Sequence, residues 1–290
     1  MTWEETIDMI REDPEYQNLV RDAYFEADLP LNVERYKAGV EYKKIKDWLV
    51  DLGLTQGRVL DIGSGNGISA ISFALDGYEV TAVEPDPSDT VGAGAINALK
   101  DHYQLQNLKV YESFAEDIGF DSKSFDLVFV RQALHHANDL NKFVAECQRV
   151  LSEGGIMMTI RDHVIYDERD KEWFLEMHPL HKFYGGENAY RSDEYEEAFK
   201  NSGFEILNRF RYYDTPVNYF PVPEDSVNPI LVEAQLKENL FRKISISKYI
   251  PFVFKIYKLY LKARGVSFKQ DERLIPGRMY SYILKKTLTT

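Results

Sequence analysis

The sequence predicts an α/β fold whose centre is a parallel sheet joined by crossover helices. Three observations carry this. Between about residues 58 and 160, short β-branched apolar runs alternate with segments of helical period. One of those runs passes through three closely spaced glycines directly into a helix. A second helix has a defined cap and a clean apolar face, and it leads into another strand-like run. In order, the strands are expected at Arg58–Ile62, Glu79–Val83, Leu108–Glu112, Phe125–Val130 and Ile156–Ile160. The capped helix follows Asn138-Asp139 and sets Leu140, Phe143, Val144, Cys147, Val150 and Leu151 on one face. Gly154-Gly155 is expected to stop it and turn the chain. Beyond lie a helix from about Asp193 to Ser202 behind a Ser192 cap, a strand over Phe204–Tyr212, and a last strand, Met279–Leu284, after the Pro276-Gly277 turn signal.

Length and composition bound the rest. The chain has 290 residues, room for two domains or for one large α/β unit with its own cap. Hydrophobic residues at 44% and charged residues at 28% exclude disorder. No uninterrupted apolar run reaches the roughly 18 residues a membrane span needs. Acids at Glu4 and Glu5, where a secretion signal carries basic residues, lead to the expectation of a cytoplasmic protein. The single cysteine, Cys147, excludes an internal disulfide and a Cys-rich zinc site. The net charge of −12 hides an asymmetry: residues 241–290 hold 12 basic and 2 acidic residues, residues 1–240 hold 23 and 45.

Three segments fall outside the alternation: 1–50, 162–191 and 214–276. The expected organisation is an N-terminal helical cap (1–50), a core (51–213) carrying a lid insertion at 162–191, a second insertion or cap (214–276), and a final core strand (277–290). In open α/β sheets ligands lie beyond the carboxyl ends of the strands, so insertions there can build substrate walls.

The most informative stretch is Val59-Leu60-Asp61-Ile62-Gly63-Ser64-Gly65-Asn66-Gly67-Ile68. Its G-x-G-x-G spacing departs from the G-x-G-x-x-G fingerprint of dinucleotide sites, which makes a nicotinamide or flavin ligand the minor reading. The second strand ends at Glu84, one βα unit later, where a carboxylate can accept hydrogen bonds from both ribose hydroxyls of an adenosine-containing ligand.

These residues resemble the first motif and the ribose-binding acid of class I S-adenosylmethionine-dependent methyltransferases. The later stretches Ser124-Phe125-Asp126-Leu127-Val128, Leu134-His135-His136 and Glu146 to Gly155 resemble the branch containing ubiquinone and menaquinone methyltransferases. The resemblance covers residues 58–160. It implies a Rossmann-like, doubly wound seven-stranded sheet with an antiparallel last strand and helical lid insertions, and S-adenosylmethionine as cofactor. It further implies that Gly63, Ser64 and Gly65 line the methionine and ribose portion, that Asp61 lies under the amino group, and that Glu84, followed by Pro85, holds the ribose. Where many relatives carry an Asp for the adenine amino group, this chain has Ser113-Phe114-Ala115-Glu116. Adenine is therefore expected against the Ala115 backbone, Glu116 or Asp117, and Phe114. Arg131 and Gln132 are the candidates for the methionine carboxylate.

Methyl transfer from a sulfonium is an in-line displacement that asks the protein for alignment and dryness. A hydroxyl acceptor also benefits from a base. His135 is the first candidate, with His163 and Glu187 behind it. A short Arg-x-Ala-x-x-His likeness to phosphoethanolamine methyltransferases suggests that Tyr36 or Tyr42 assists. His178, His181 and Glu187 have the chemistry of metal ligands, but Pro179 argues against the helix that would align them, so no metal is expected. Residues 249–265 read as a helix with Lys255, Lys258 and Lys262 on one face and a broad aromatic face, packed as a cap or dimer contact or, as the minor reading, touching a membrane surface.

The expected function is methyl transfer to a hydroxyl of a small-molecule metabolite or glycan precursor. C- or N-methylation of a quinone or amine, and a non-catalytic cofactor-binding scaffold, are the alternatives. The acidic body argues against nucleic acid as a partner. Oligomeric state is left open.

Overall fold

A computed structural model describes residues 1–223, 227, 255, 256, 259 and 271–287. Helices open the chain: α1 (Trp3–Glu12), α2 (Gln17–Asp22), α3 (Leu29–Ala38) and α4 (Val40–Asp51). α1 starts on a reciprocal cap in which Thr2 Oγ1 accepts the Glu5 N–H and the Glu5 carboxylate accepts the Thr2 N–H. The alternating region follows as β1 (Arg58–Ile62), α5 (Ile68–Leu75), β2 (Glu79–Val83), α6 (Ala93–His102), β3 (Leu108–Tyr111), β4 (Phe125–Arg131), α7 (Leu140–Val150) and β5 (Leu151–Ile165). Then come α8 (Glu168–Met177), α9 (His181–Tyr184), β6 (Tyr190–Arg191), α10 (Ser192–Asn201), β7 (Phe204–Phe210), α11 (Pro216–Tyr219) and β8 (Met279–Lys286).

The sheet runs β3-β2-β1-β4-β5-β8-β7, with the two-residue β6 paired to the end of β5. β1 to β5 are parallel, and β8 enters antiparallel between β5 and β7. The seven expected strands are thus present in the expected sense. Strand residues alternate between two cores, as a sheet covered on both faces requires. Val59, Leu127, Phe129 and Met158 pack with Ile45 and Leu49 of α4 and Phe73 of α5. Leu60, Val128 and Met157 pack with Phe143, Val144 and Cys147 of α7 and Phe199 of α10. α1, α2 and α9 share a separate cluster through Ile7, Ile10, Val20 and Leu180, which ties the N-terminal helices to the segment after β5.

Several boundaries differ from expectation, each for a physical reason. Gly154-Gly155 does not stop α7, which ends at Val150. The Lys286 ammonium donates to the carbonyls of Gln148 and Leu151, both at 2.7 Å, and satisfies the helix end that a C-terminal glycine would otherwise serve. Gly154, at φ +70°, instead bends the chain where the β4–β5 pairing jumps from Phe125↔Leu151 to Leu127↔Ile156. β5 also outruns its expected end at Ile160, because β8 pairs Asp162 with Tyr280 and His163 with Met279. Residues 162–165, expected in the insertion, therefore belong to the sheet. Ser192 is the first helical residue of α10 rather than its cap, and the Glu194 carboxylate accepts the Arg191 N–H instead. β7 stops at Phe210 and β3 at Tyr111, short of Tyr212 and Glu112, while β4 extends to Arg131 and β8 to Lys286. The expected helix over 249–265 lies outside the described residues, apart from the exposed, helical Lys255, Ile256 and Leu259.

Candidate active site

A cavity of about 810 Å³ opens beyond the carboxyl ends of the parallel strands, reached by the loops after β1, β2, β3, β4 and β5. Its cofactor-like half is built by the loop after β1. Gly63, Gly65 and Gly67 all hold left-handed φ, and a Cβ on Gly63 would stand 2.4 Å from the Ala133 Cβ. The loop is stitched to β2: the Gly63 N–H donates to the Val83 carbonyl at 2.9 Å, and the Gly65 N–H donates to Glu84 Oε2 at 2.8 Å. Glu84 Oε1 accepts the Asp86 N–H at 3.0 Å across Pro85. Burial lifts the Glu84 carboxyl to about 7, against those two N–H bonds. Asp61 is fully buried. Its Oδ2 accepts the Ser69 hydroxyl, its Oδ1 has no partner, and burial raises it to about 6. Ser64 donates its hydroxyl to the Asp61 carbonyl.

After β3, Phe114 is 67% exposed at the cavity rim beside Ala115, and Glu116 accepts the Asn138 N–H at 3.0 Å. Arg131 and Gln132 line the cavity, yet Arg131 is already paired: its Nε and Nη2 donate to Glu41 at 2.5 and 3.1 Å. Glu41 is fully buried and also lies 3.8 Å from Arg161. Sequence reasoning did not identify Glu41. The signal for it is an acid on the apolar face of α4, one helical turn before Ile45. Gln132 sits at φ +50° against Met279.

The other half gathers residues from distant parts of the chain. His135 is buried just after β4, and its Nδ1 meets Asp162 Oδ1 at 3.0 Å, while its Nε2 faces Glu187 Oε2 at 3.7 Å. His163, on β5, has Nδ1 2.7 Å from the Gly277 carbonyl, so Nδ1 carries the proton and Nε2 a lone pair. The two rings are 4.8 Å apart. Glu187 accepts the Tyr184 hydroxyl on Oε1, stands 3.6 Å from His178 Nε2, and keeps Oε2 buried without a hydrogen bond. Burial pulls His135 down, but Asp162 and Glu187 outweigh it and carry the ring up to about 9. Burial and the His135 charge hold His163 well below its usual value and His136 at about 4. Burial works against the Glu187 charge, yet His135 and His178 keep it well below the usual carboxylate range.

The structure thus brings together His135, His163 and Glu187, the three residues singled out as catalytic candidates, and adds Asp162 and Gly277 as the groups that orient the rings. The metal-capable grouping is not the one weighed from sequence. His181 donates its N–H to His178 Nδ1, whereas one ligand atom each from His135, His163 and Glu187 lies within 4.8 Å of the others. Neither Tyr36 nor Tyr42 lines the cavity. Tyr42 donates to Asp76 at 2.9 Å, and Tyr36 is buried beneath Arg131.

Residues 60–159 match the family model described as a methyltransferase domain. Over these residues the core is thus similar to methyltransferase domains. An uncharacterized methyltransferase of Bacillus subtilis, YcgJ, is 33% identical over 106 residues, 37% of this chain and 40% of that protein. A ubiquinone biosynthesis O-methyltransferase from a Bradyrhizobium strain is 30% identical over 101 residues, 35% and 38% of the two chains. The match thus spans about two fifths of the length of these curated relatives. Among solved structures, a Haemonchus contortus phosphoethanolamine N-methyltransferase 2, in complex with phosphomonomethylethanolamine and S-adenosylhomocysteine, superposes with a TM-score of 0.53 at 17% identity, over 94% of this chain and 61% of that one. At that identity the likeness concerns the fold alone. Among the described residues no helix is long and apolar enough to cross a membrane.

Proposed function

We propose that the protein transfers the methyl group of S-adenosylmethionine to a hydroxyl oxygen of a small polar acceptor such as a metabolite or glycan precursor. The observation that carries this reading is the meeting of His135, His163 and Glu187 in the cavity that Glu84 and the glycine loop also line. A hydroxyl of high pKa, which must lose its proton as the oxygen–carbon bond forms, is an acceptor that gains directly from such a cluster.

In this reading Glu84 and Pro85 hold the ribose, Gly63, Ser64 and Gly65 lie along the methionine and ribose portion, and Asp61 takes the amino group. Ala115 and Glu116 flank adenine beside Phe114, with Gln132 and the Glu41-paired Arg131 near the methionine carboxylate. The acceptor hydroxyl lies against His163 Nε2, whose lone pair is available because Nδ1 already donates to Gly277. As the oxygen–carbon bond forms and the sulfur–carbon bond breaks, the hydroxyl proton passes to His163 and S-adenosylhomocysteine leaves. His135, charged between Asp162 and Glu187, fixes the floor on which the acceptor rests.

The test is a labelled-methyl screen across sugars, nucleotide sugars, quinones and amines. Transfer to hydroxyl acceptors, strongly reduced in His163→Ala, is expected. Transfer confined to a quinone carbon or an amine would overturn the reading.

A further inference from the structure

We propose that His135, His163 and Glu187 form a binding site for one divalent transition-metal cation. The inference rests on the reading of this floor as the acceptor end of the cavity, and it says what the floor holds besides the acceptor.

The donor set is two imidazoles and one carboxylate, the mix that suits zinc, manganese or iron in their divalent states better than magnesium or calcium. Bonds of about 2.1 Å in a tetrahedral arrangement set ligand atoms about 3.4 Å apart. His135 Nε2 and Glu187 Oε2, 3.7 Å apart, already stand near that spacing. The three ligand atoms all lie within 4.8 Å of one another, so a small inward shift of side chains closes the site.

Two further features point to a ligand rather than to simple packing. Both rings use Nδ1 on a fixed partner, His135 on the Asp162 carboxylate and His163 on the Gly277 carbonyl, which turns each Nε2 inward. That outer hydrogen bond is what orients metal-binding histidines in general. Glu187 Oε2 is buried and accepts no hydrogen bond, while its other oxygen is fixed by Tyr184. A cation taking the place of the His135 Nε2 proton would meet this carboxylate oxygen directly, where the ion pair now spans 3.7 Å. With three protein ligands, the cation keeps at least one position open toward the cavity, as catalytic rather than structural sites do. Coordination would occupy the His163 lone pair, so with the cation bound the acceptor hydroxyl would be acidified by the positive charge and would pass its proton to water rather than to His163.

The experiment titrates the chelator-treated full chain with Zn2+, Mn2+ and Co2+ by calorimetry, and follows Co2+ by its visible absorption. One cation per chain is expected, weakened about 100-fold or more in His163→Ala and in Glu187→Gln, and about 10-fold in Asp162→Asn. His102→Ala, on the exposed end of α6, should bind as the parent does. Melting curves and S-adenosylmethionine affinity report whether each variant is folded, and the isosteric Glu187→Gln serves where His163→Ala is not. Absence of stoichiometric binding, or binding that both folded variants retain, overturns the site. Methylation of a hydroxyl acceptor that continues unchanged in excess chelator, with no cation bound, overturns the cation and leaves the histidine-base reading standing. A stoichiometric cation lost in these variants, in a protein that methylates no hydroxyl acceptor, supports the site and overturns the O-methylation reading.

Discussion

Glu84 Oε2 accepts the Gly65 N–H at 2.8 Å, joining the acid at the end of β2 to the glycine loop after β1. The bond ties the loop to β2, and in the proposed reading the carboxylate retains lone pairs for the two ribose hydroxyls. Glu84→Ala removes both functions. Hydrogen bonds to a charged group contribute about 1.5–3 kcal/mol each, so affinity for S-adenosylmethionine should fall by about 30-fold or more. Calorimetry measures this directly, and unchanged affinity would remove Glu84 from the ribose site.

Cofactor affinity should depend on pH. Burial raises Glu84 to about 7, and the ionised form is the better acceptor for ribose hydroxyls. Binding then favours loss of the proton, so affinity should rise as pH climbs through about 7 and level off above it, with net proton uptake by buffer near neutrality. Titrations in buffers of different ionisation enthalpy read out that release. Glu84→Gln should flatten the profile through this range.

His163→Ala should lower kcat by about 10²- to 10⁴-fold while leaving S-adenosylmethionine affinity within about twofold, since general-base contributions are of that size and His163 lies on the acceptor side. Single-turnover kinetics beside equilibrium binding separate the two effects. A variant with parental kcat would remove His163 from the chemistry.

Glu41 is the only carboxylate within 4 Å of Arg131 or Arg161 among the described residues. Removing one partner of a buried ion pair costs about 3–5 kcal/mol, because the remaining charge stays desolvated. Glu41→Ala should therefore lower unfolding stability by about that amount in a urea titration, more than alanine at the exposed Asp47 or Asp51 of the same helix.

Gly63→Ala places a Cβ 2.4 Å from the Ala133 Cβ at a φ of +67°. The strain should cost about 1–3 kcal/mol and shift the loop away from the cofactor. Binding should weaken at least 10-fold, on the order of that strain energy. Adding Ala133→Gly removes the clash but not the backbone strain, so thermal melts of the double variant should recover only part of the loss.

The proposed cofactor half of this cavity is legible in the sequence because its parts are local. Asp61 to Gly67 form one continuous strand–loop–helix, and Glu84 sits at the end of the next strand. The acceptor half was legible only as candidates. His135, Asp162, His163, Glu187 and Gly277 are up to 142 residues apart in the chain, and nothing in their spacing says that β5 runs on to Ile165 or that β8 returns Gly277 beside it. Asp162 was visible next to His163 but had no role until the fold faced it toward His135. Gly154-Gly155 misled for the opposite reason: a strong local stop signal was overridden by Lys286, a distant residue that closes the α7 terminus.

The strand order separates two kinds of inheritance. In the proposed reading most groups for the cofactor hang from β1, β2 and β3, with Arg131 and Gln132 at the end of β4, whereas the acceptor cluster hangs from the loop after β4, from β5 and the segment after it, and from the turn before β8. Descendants of such a chain can exchange the segments after β5 and before β8 without rewriting the glycine loop. A combinatorial library confined to positions around Asp162, Glu187 and Gly277 should accordingly yield variants that keep their methyl donor while changing what they decorate.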